Sequence, residues 1–141
     1  MDAKEFLKQY ETAELLVEQL RTEYEKESEK VDAIRSALGG DGTPGSKEVS
    51  KSVERQAIKL AEKAEELKEA EVEALIVRQY VYSVIREVPD VLGAILYERY
   101  INLKDWESVA YSVGYSKSRT HDLHKDALAL VQNRIESDST R

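Results

Sequence analysis

Residues 105–125 have the sequence DWESVAYSVGYSKSRTHDLHK, and this stretch decides the predicted fold of the C-terminal part. A short helix is predicted to start after Asp105, whose side chain suits the N-cap position, and to stop at Gly114. Glycine suits that place because the turn needs a positive φ. A longer helix then opens at Ser116 and runs to about Ile135. A short helix, a glycine turn and a longer helix make up a helix-turn-helix.

The residues around this motif resemble region 4 of bacterial sigma factors. Residues 97–116, YERYINLKDWESVAYSVGYS, resemble that family's pattern RY…G…W/Y-E-E-I-A…L-G-Y-S, and residues 123–128, LHKDAL, are similar to its LH-x-x-AL. The similar stretch covers about residues 91–132. Thr120 departs mildly from the motif, which most often has a branched aliphatic residue there. The resemblance implies DNA binding, and it also implies contact with RNA polymerase.

The first half of the chain carries the periodicity of long helices. Between Phe6 and Leu38 the steps between apolar residues alternate between four and three, with Glu27 as the exception. This heptad pattern is typical of a helix that buries one narrow seam against a partner helix. The seam positions are Phe6, Tyr10, Ala13, Val17, Leu20, Tyr24, Glu27, Val31, Ile34 and Leu38.

A glycine-rich loop at residues 39–46, GGDGTPGS, separates this helix from a second one. Gly39 and Gly40 suit a C-cap, and Ser46 suits the next N-cap. Two long helices joined by a short loop fold back antiparallel. The second seam is Val53, Ala57, Leu60, Ala64, Leu67, Ala70, Ala74, Val77, Val81, Val84 and Val88. We therefore predict an all-α protein, with a long antiparallel helical hairpin at 1–88 followed by a helix-turn-helix domain at 89–141.

The end of the second helix is apolar on more than one face. From residue 72 to residue 85 apolar side chains occupy most positions, which indicates that this stretch is covered on several sides. It is expected to meet either the C-terminal part or a second subunit, and we predict a homodimer.

The start of the second motif helix is the predicted contact surface for double-stranded DNA, because this part of a helix-turn-helix enters the major groove. Lys117 and Arg119 can reach phosphate oxygens or guanine, and Asp122 can accept a hydrogen bond from a cytosine amino group. The predicted DNA-binding residues are Ser116, Lys117, Ser118, Arg119, His121, Asp122 and Lys125.

Composition and sequence motifs argue against catalytic, metal-binding and membrane functions. The 141 residues include no cysteine, which excludes thiol nucleophiles and zinc–thiolate sites. His121 and His124 lie three residues apart without a third fixed ligand, so no metal site is expected. The sequence has no phosphate-binding glycine loop with a lysine, and we expect neither a cofactor nor enzymatic activity. Without a long apolar run or a signal peptide, the protein is expected in the cytoplasm, with no membrane partner.

A helical hairpin with a glycine-rich loop ahead of such a domain resembles small phage-encoded transcriptional regulators of the ArpU/RinA type. That resemblance implies a bacterial host and control of phage late genes or packaging. The net charge of −7 argues against DNA binding. Two alternatives stay open: a protein-interaction module that binds RNA polymerase or a sigma factor, and a structural coiled-coil adaptor.

Overall fold

The computed structural model describes residues 1–38 and 47–139, and within these ranges every regular element is helical. The predicted all-α class is therefore confirmed. The caps predicted at Gly39, Gly40 and Ser46 lie outside the described residues. None of the described helices is both long and apolar enough to cross a membrane. The elements are α1 (Ala3–Leu7), α2 (Gln9–Leu38), α3 (Lys47–Ile85), α4 (Asp90–Leu96), a π-helical turn (Tyr97–Ile101), α5 (Trp106–Val113) and α6 (Lys117–Ser139).

The contacts divide the chain into two compact units. One is Leu15–Val72, and the other combines Met1–Glu14 with Glu73–Arg141. This division differs from the predicted boundary between residues 88 and 89. The physical reason is burial, because α1 and the last turns of α3 pack into the same core as α6.

The unit Leu15–Val72 consists of stretches of α2 and α3. Among the described residues of this unit, the buried apolar ones are Val17, Val31 and Ala70. Arg21 pairs with Glu71 at 3.3 Å, and Lys63 pairs with Glu23 at 2.8 Å. These exposed ion pairs contribute little stability, so burial of the seam holds this unit together.

The seam of α3 differs from the predicted one at two positions. Ala57 and Ala64 are exposed, whereas Gln56 and Lys63 are half-buried. With Gln56 and Lys63 included, the steps alternate between three and four without interruption from Val53 to Val88. Placing the two alanines in the seam because they are apolar was wrong. The helical repeat decides which positions face inward, even where the residue there is polar.

The core of the other unit joins the two ends of the chain. Leu7 of α1, Val81 of α3, Leu96 of α4 and Val131 of α6 are fully buried in one cluster. A capping box formed by Asp2 and Glu5 starts α1. The Ala3 N–H donates to the Gln132 Oε1 at 2.8 Å and ties α1 to α6. The first turn of the chain is therefore part of the core that supports α6.

The apolar end of α3 is covered mainly on one side. Val81, Val84 and Ile85 are buried in this core, and Tyr82 packs edge-on against Tyr97, with ring centroids 5.9 Å apart. The expectation that this stretch meets the C-terminal part is confirmed for these residues. The apolar residues on its other side remain largely exposed: Val72, Leu75, Ile76 and Tyr80. Of these, the Tyr80 ring packs edge-on against Phe6, with ring centroids 5.2 Å apart.

Candidate nucleic-acid interface

The turn between α5 and α6 has the local structure that its residues predict. The Asp105 carboxylate accepts a hydrogen bond from the Ser108 N–H at 2.8 Å and caps α5, and this bond lowers the pKa of Asp105. Gly114 ends α5 with a φ of +78°, and its N–H donates to the Ala110 carbonyl at 3.0 Å. Ser116 Oγ accepts from the Arg119 N–H at 3.1 Å at the start of α6. The predicted cap, glycine turn and helix start are confirmed.

The two helices pack through a small apolar cluster. Ile95 of α4, Val109 of α5 and Leu123 of α6 form its buried centre, with Val113 packed against it. Thr120 is fully buried where the motif usually has an aliphatic residue. Its hydroxyl donates to the Ser116 carbonyl at 2.8 Å, so the buried polar group is satisfied.

The predicted DNA-binding residues all lie on the first turns of α6 or just before it. Ser116, Lys117, Ser118, Arg119, Asp122 and Lys125 are exposed, and His121 is half-buried. At about 100° per residue, Ser118, Asp122 and Lys125 lie opposite the buried side of the helix. Lys117 and Arg119 lie on its two flanks. The centre of the exposed surface therefore combines a hydroxyl, a carboxylate and an ammonium group, and each edge carries one cation.

The cations of this surface form no close ion pair with any described residue, although the charge of Lys117 contributes to lowering the pKa of Asp105. Within residues 1–38 and 47–139, the side chains of Lys117, Arg119 and Lys125 form no ion pair or hydrogen bond. Nearby Lys104 differs, because its ammonium group contacts the Glu98 carboxylate and lies 3.3 Å from Ser112 Oγ. Three exposed cations on one helix start, none of them in an ion pair with a described residue, suit an anionic partner.

His121 belongs to an aromatic cluster. Its ring lies 4.5 Å from that of Trp106, which also packs edge-on against His124 at 4.5 Å. The Arg99 guanidinium lies over the Trp106 ring, 4.9 Å from its centroid. These contacts anchor the start of α5 on α6 and leave His121 only partly accessible to a ligand.

His124 forms a buried polar pair with Tyr100 that sequence reasoning missed. The Tyr100 hydroxyl lies 2.7 Å from His124 Nε2. Burial raises the pKa of Tyr100 to about 12, and burial, together with the charges of Lys4, His121 and Arg99, lowers the pKa of His124 to about 4. At neutral pH Tyr100 therefore keeps its proton and His124 is uncharged. The similarity of residues 123–128 to LH-x-x-AL drew attention to His124 but did not indicate that Tyr100 is its hydrogen-bond partner.

In the described part of the chain, no group of three or more histidine, aspartate or glutamate side chains is arranged to hold a metal ion. No family model, curated protein or solved structure matches the chain. Function is therefore inferred from the geometry of α5 and α6.

Gly114 provides a test of the turn. A Cβ at this position would meet no heavy atom within 4 Å, so any cost of substitution comes from the left-handed backbone alone. We expect Gly114→Ala to lower the free energy of unfolding by about 1 kcal/mol. Gly114→Asn should cost less, because asparagine tolerates this conformation. Urea denaturation followed by circular dichroism checks the order, and equal losses in both variants would contradict it.

Proposed function

We propose that this protein is a DNA-binding transcriptional regulator, encoded by a phage or prophage, in which the helix that starts after Ser116 recognises DNA. Its architecture is an antiparallel helical hairpin combined with a helix-turn-helix that resembles sigma factor region 4. The observation that carries the proposal is the set of three unpaired cations on the exposed start of α6, directly after a left-handed glycine.

The arrangement of charges suits a helix lying in the major groove. Lys117 and Arg119 flank the exposed side of α6, where the phosphates of the two groove walls would lie. Ser118, Asp122 and Lys125 occupy the centre, where base edges are read. Asp122 repels phosphate but accepts a hydrogen bond from a cytosine amino group, so it favours cytosine in the recognised sequence.

The whole-chain charge sets the expected strength of binding. A net charge of −7 repels DNA at long range, and only three cations face the proposed groove. Because binding strength and its salt dependence follow the number of phosphates neutralised, one copy should bind weakly and with a shallow salt dependence. Recognition then depends on the local surface of α6.

The test is fluorescence anisotropy with a duplex enriched by this protein from a random library and with a scrambled duplex, at two salt concentrations. We expect the wild type to prefer the enriched duplex. Lys117→Ala combined with Arg119→Ala should weaken binding by about tenfold or more and reduce the salt slope by about two, since two phosphate contacts are lost.

A matched control distinguishes loss of the DNA-binding surface from the general effect of removing two positive charges. Lys26→Ala combined with Arg35→Ala removes the same charge from two exposed, unpaired positions of the described part of α2. We expect this variant to bind like the wild type. Equal weakening in both double variants, or no preference for the enriched duplex in the wild type, would contradict the proposed function.

A second candidate function rests on α5. Tyr111 is 90% exposed, and Tyr115 beyond the turn is also exposed, although both are large aromatic residues. Tyrosine is enriched at protein interfaces, so this face suits a protein partner such as RNA polymerase. Tyr111→Ala should weaken capture of purified polymerase while DNA anisotropy stays unchanged, and loss of DNA binding alone would contradict this candidate.

A further inference from the structure

The outer side of α3 carries an apolar patch that is largely uncovered. Leu75, Ile76 and Tyr80 are 61%, 59% and 58% exposed, and Val72 one turn earlier is 50% exposed. Isolated apolar side chains are ordinary on a protein surface. Four of them within one short stretch of helix form a continuous patch, and such patches mark interaction sites.

The patch lies along a row of positions on α3 that is separate from the buried seam: Val72 and Ile76 belong to this row, and Leu75 and Tyr80 flank it. The positions of this row follow steps of three and four, and all are exposed: Glu69, Val72, Ile76, Gln79, Ser83 and Arg86. They share one face because α3 is uninterrupted from Lys47 to Ile85, and the Arg86 N–H still donates to the Tyr82 carbonyl at 2.9 Å. A row with Val72 and Ile76 on it and with Leu75 and Tyr80 beside it offers an apolar strip for a partner helix, with polar and charged residues at its ends.

This row is complementary to itself when reversed. A two-fold axis between Val77 and Arg78 brings Ile76 opposite Gln79 of a second copy. It also brings Val72 opposite Ser83 and Leu75 opposite Tyr80. Each large apolar side chain is then covered by a side chain of the other copy, as a closed symmetric interface requires.

The charges at the ends of the row select this orientation. Glu69 lies opposite Arg86 of the second copy at both ends of the reversed pair. Neither side chain has an ion-pair partner among the residues that the structure describes. A parallel pair would place Glu69 against Glu69 and Arg86 against Arg86, which is repulsive. Charge complementarity therefore points to a second copy in antiparallel orientation.

We propose that the chain forms a homodimer through this face of α3, with the two α3 helices antiparallel about the point between Val77 and Arg78. The role that we assign to this dimer rests on the proposed function, because two copies bring two recognition helices to DNA. Helix-turn-helix dimers bind half-sites about 34–36 Å apart, or multiples of that distance.

Sedimentation equilibrium at micromolar concentration tests the dimer. The wild type should have twice the chain mass of 16.1 kDa, and Ile76→Glu should have the chain mass. Ile76 is exposed within one chain, so its replacement leaves the fold intact, which thermal denaturation at low concentration checks. A monomeric wild type, or an Ile76→Glu variant that stays dimeric, would overturn the proposal.

The orientation is tested by exchanging the end charges. Glu69→Arg and Arg86→Glu should each weaken dimerisation by about tenfold, because each creates like-charge contacts. The double variant restores opposite charges only in the antiparallel pair and should dimerise like the wild type. No recovery in the double variant would overturn the proposed arrangement. A monomeric wild type that still prefers its enriched duplex would overturn the dimer and leave the proposed function standing.

Discussion

Gly93→Ala should destabilise the protein by about 3 kcal/mol or more, although it adds a better helix former to a helix. Gly93 is buried in α4, just beyond the place where the chain leaves α3. A Cβ there would meet the Val88 carbonyl oxygen and lie 3.2 Å from the Val88 carbonyl carbon. Because both atoms belong to the backbone, relief requires the end of α3 and the start of α4 to move apart.

The sign of this effect separates packing from helix propensity. Propensity alone predicts that Gly93→Ala stabilises the protein by about 1 kcal/mol. The matched control is Ala94→Gly, at the exposed next position of the same helix, which should cost about 1 kcal/mol by propensity alone. Urea denaturation of both variants measures the two values. A neutral or stabilising Gly93→Ala would show that α3 and α4 are not as closely packed as described.

Stability should fall by about 2 kcal/mol as the pH drops from about 6.5 to about 4, because of His124. Burial lowers the pKa of His124 in the folded protein, whereas the unfolded chain binds a proton at the ordinary value of 6.5. Between these two values the unfolded state binds more protons, so acid favours unfolding. The contribution is fully present above pH 6.5 and is lost as the pH falls through this window.

Two variants isolate the histidine responsible. His124→Gln keeps a hydrogen-bond acceptor for the Tyr100 hydroxyl but cannot be protonated, so its stability should change less across the same window. His121→Gln keeps His124 and should retain most of the pH dependence, because burial is the largest cause of the low pKa of His124 and the charge of His121 is a smaller one. Urea denaturation at several pH values provides the comparison. An unchanged pH dependence in His124→Gln would show that another group causes the effect.

Much of the site followed from residue types at known spacings. The cap at Asp105, the turn at Gly114 and the helix start at Ser116 depend on local backbone chemistry. A carboxylate can cap, and glycine adopts a positive φ without steric cost, whatever surrounds them. The exposure of Lys117, Arg119 and Lys125 followed from the apolar periodicity of α6.

Contacts between residues far apart in the chain could not be predicted from local sequence patterns. Tyr100 and His124 lie 24 residues apart, and the Ala3–Gln132 hydrogen bond joins positions 129 residues apart. No local pattern predicts such pairs. The residues next to Gly93 in the sequence likewise do not indicate that glycine is required there, because the requirement comes from close packing against the Val88 backbone.

The sequence by itself determined that the protein is all-helical, where α5 and α6 start and stop, and which side of α6 is exposed, because these properties depend on local chemistry and a repeat of 3.6 residues. Only the tertiary structure decided that α1 completes the core around α6, that Gln56 and Lys63 rather than two alanines occupy the α3 seam, and that one apolar side of α3 remains exposed. Each of these features depends on which helix faces pack together in a core. Burial there is shared among segments far apart in the chain, and periodicity within one segment does not specify its partner.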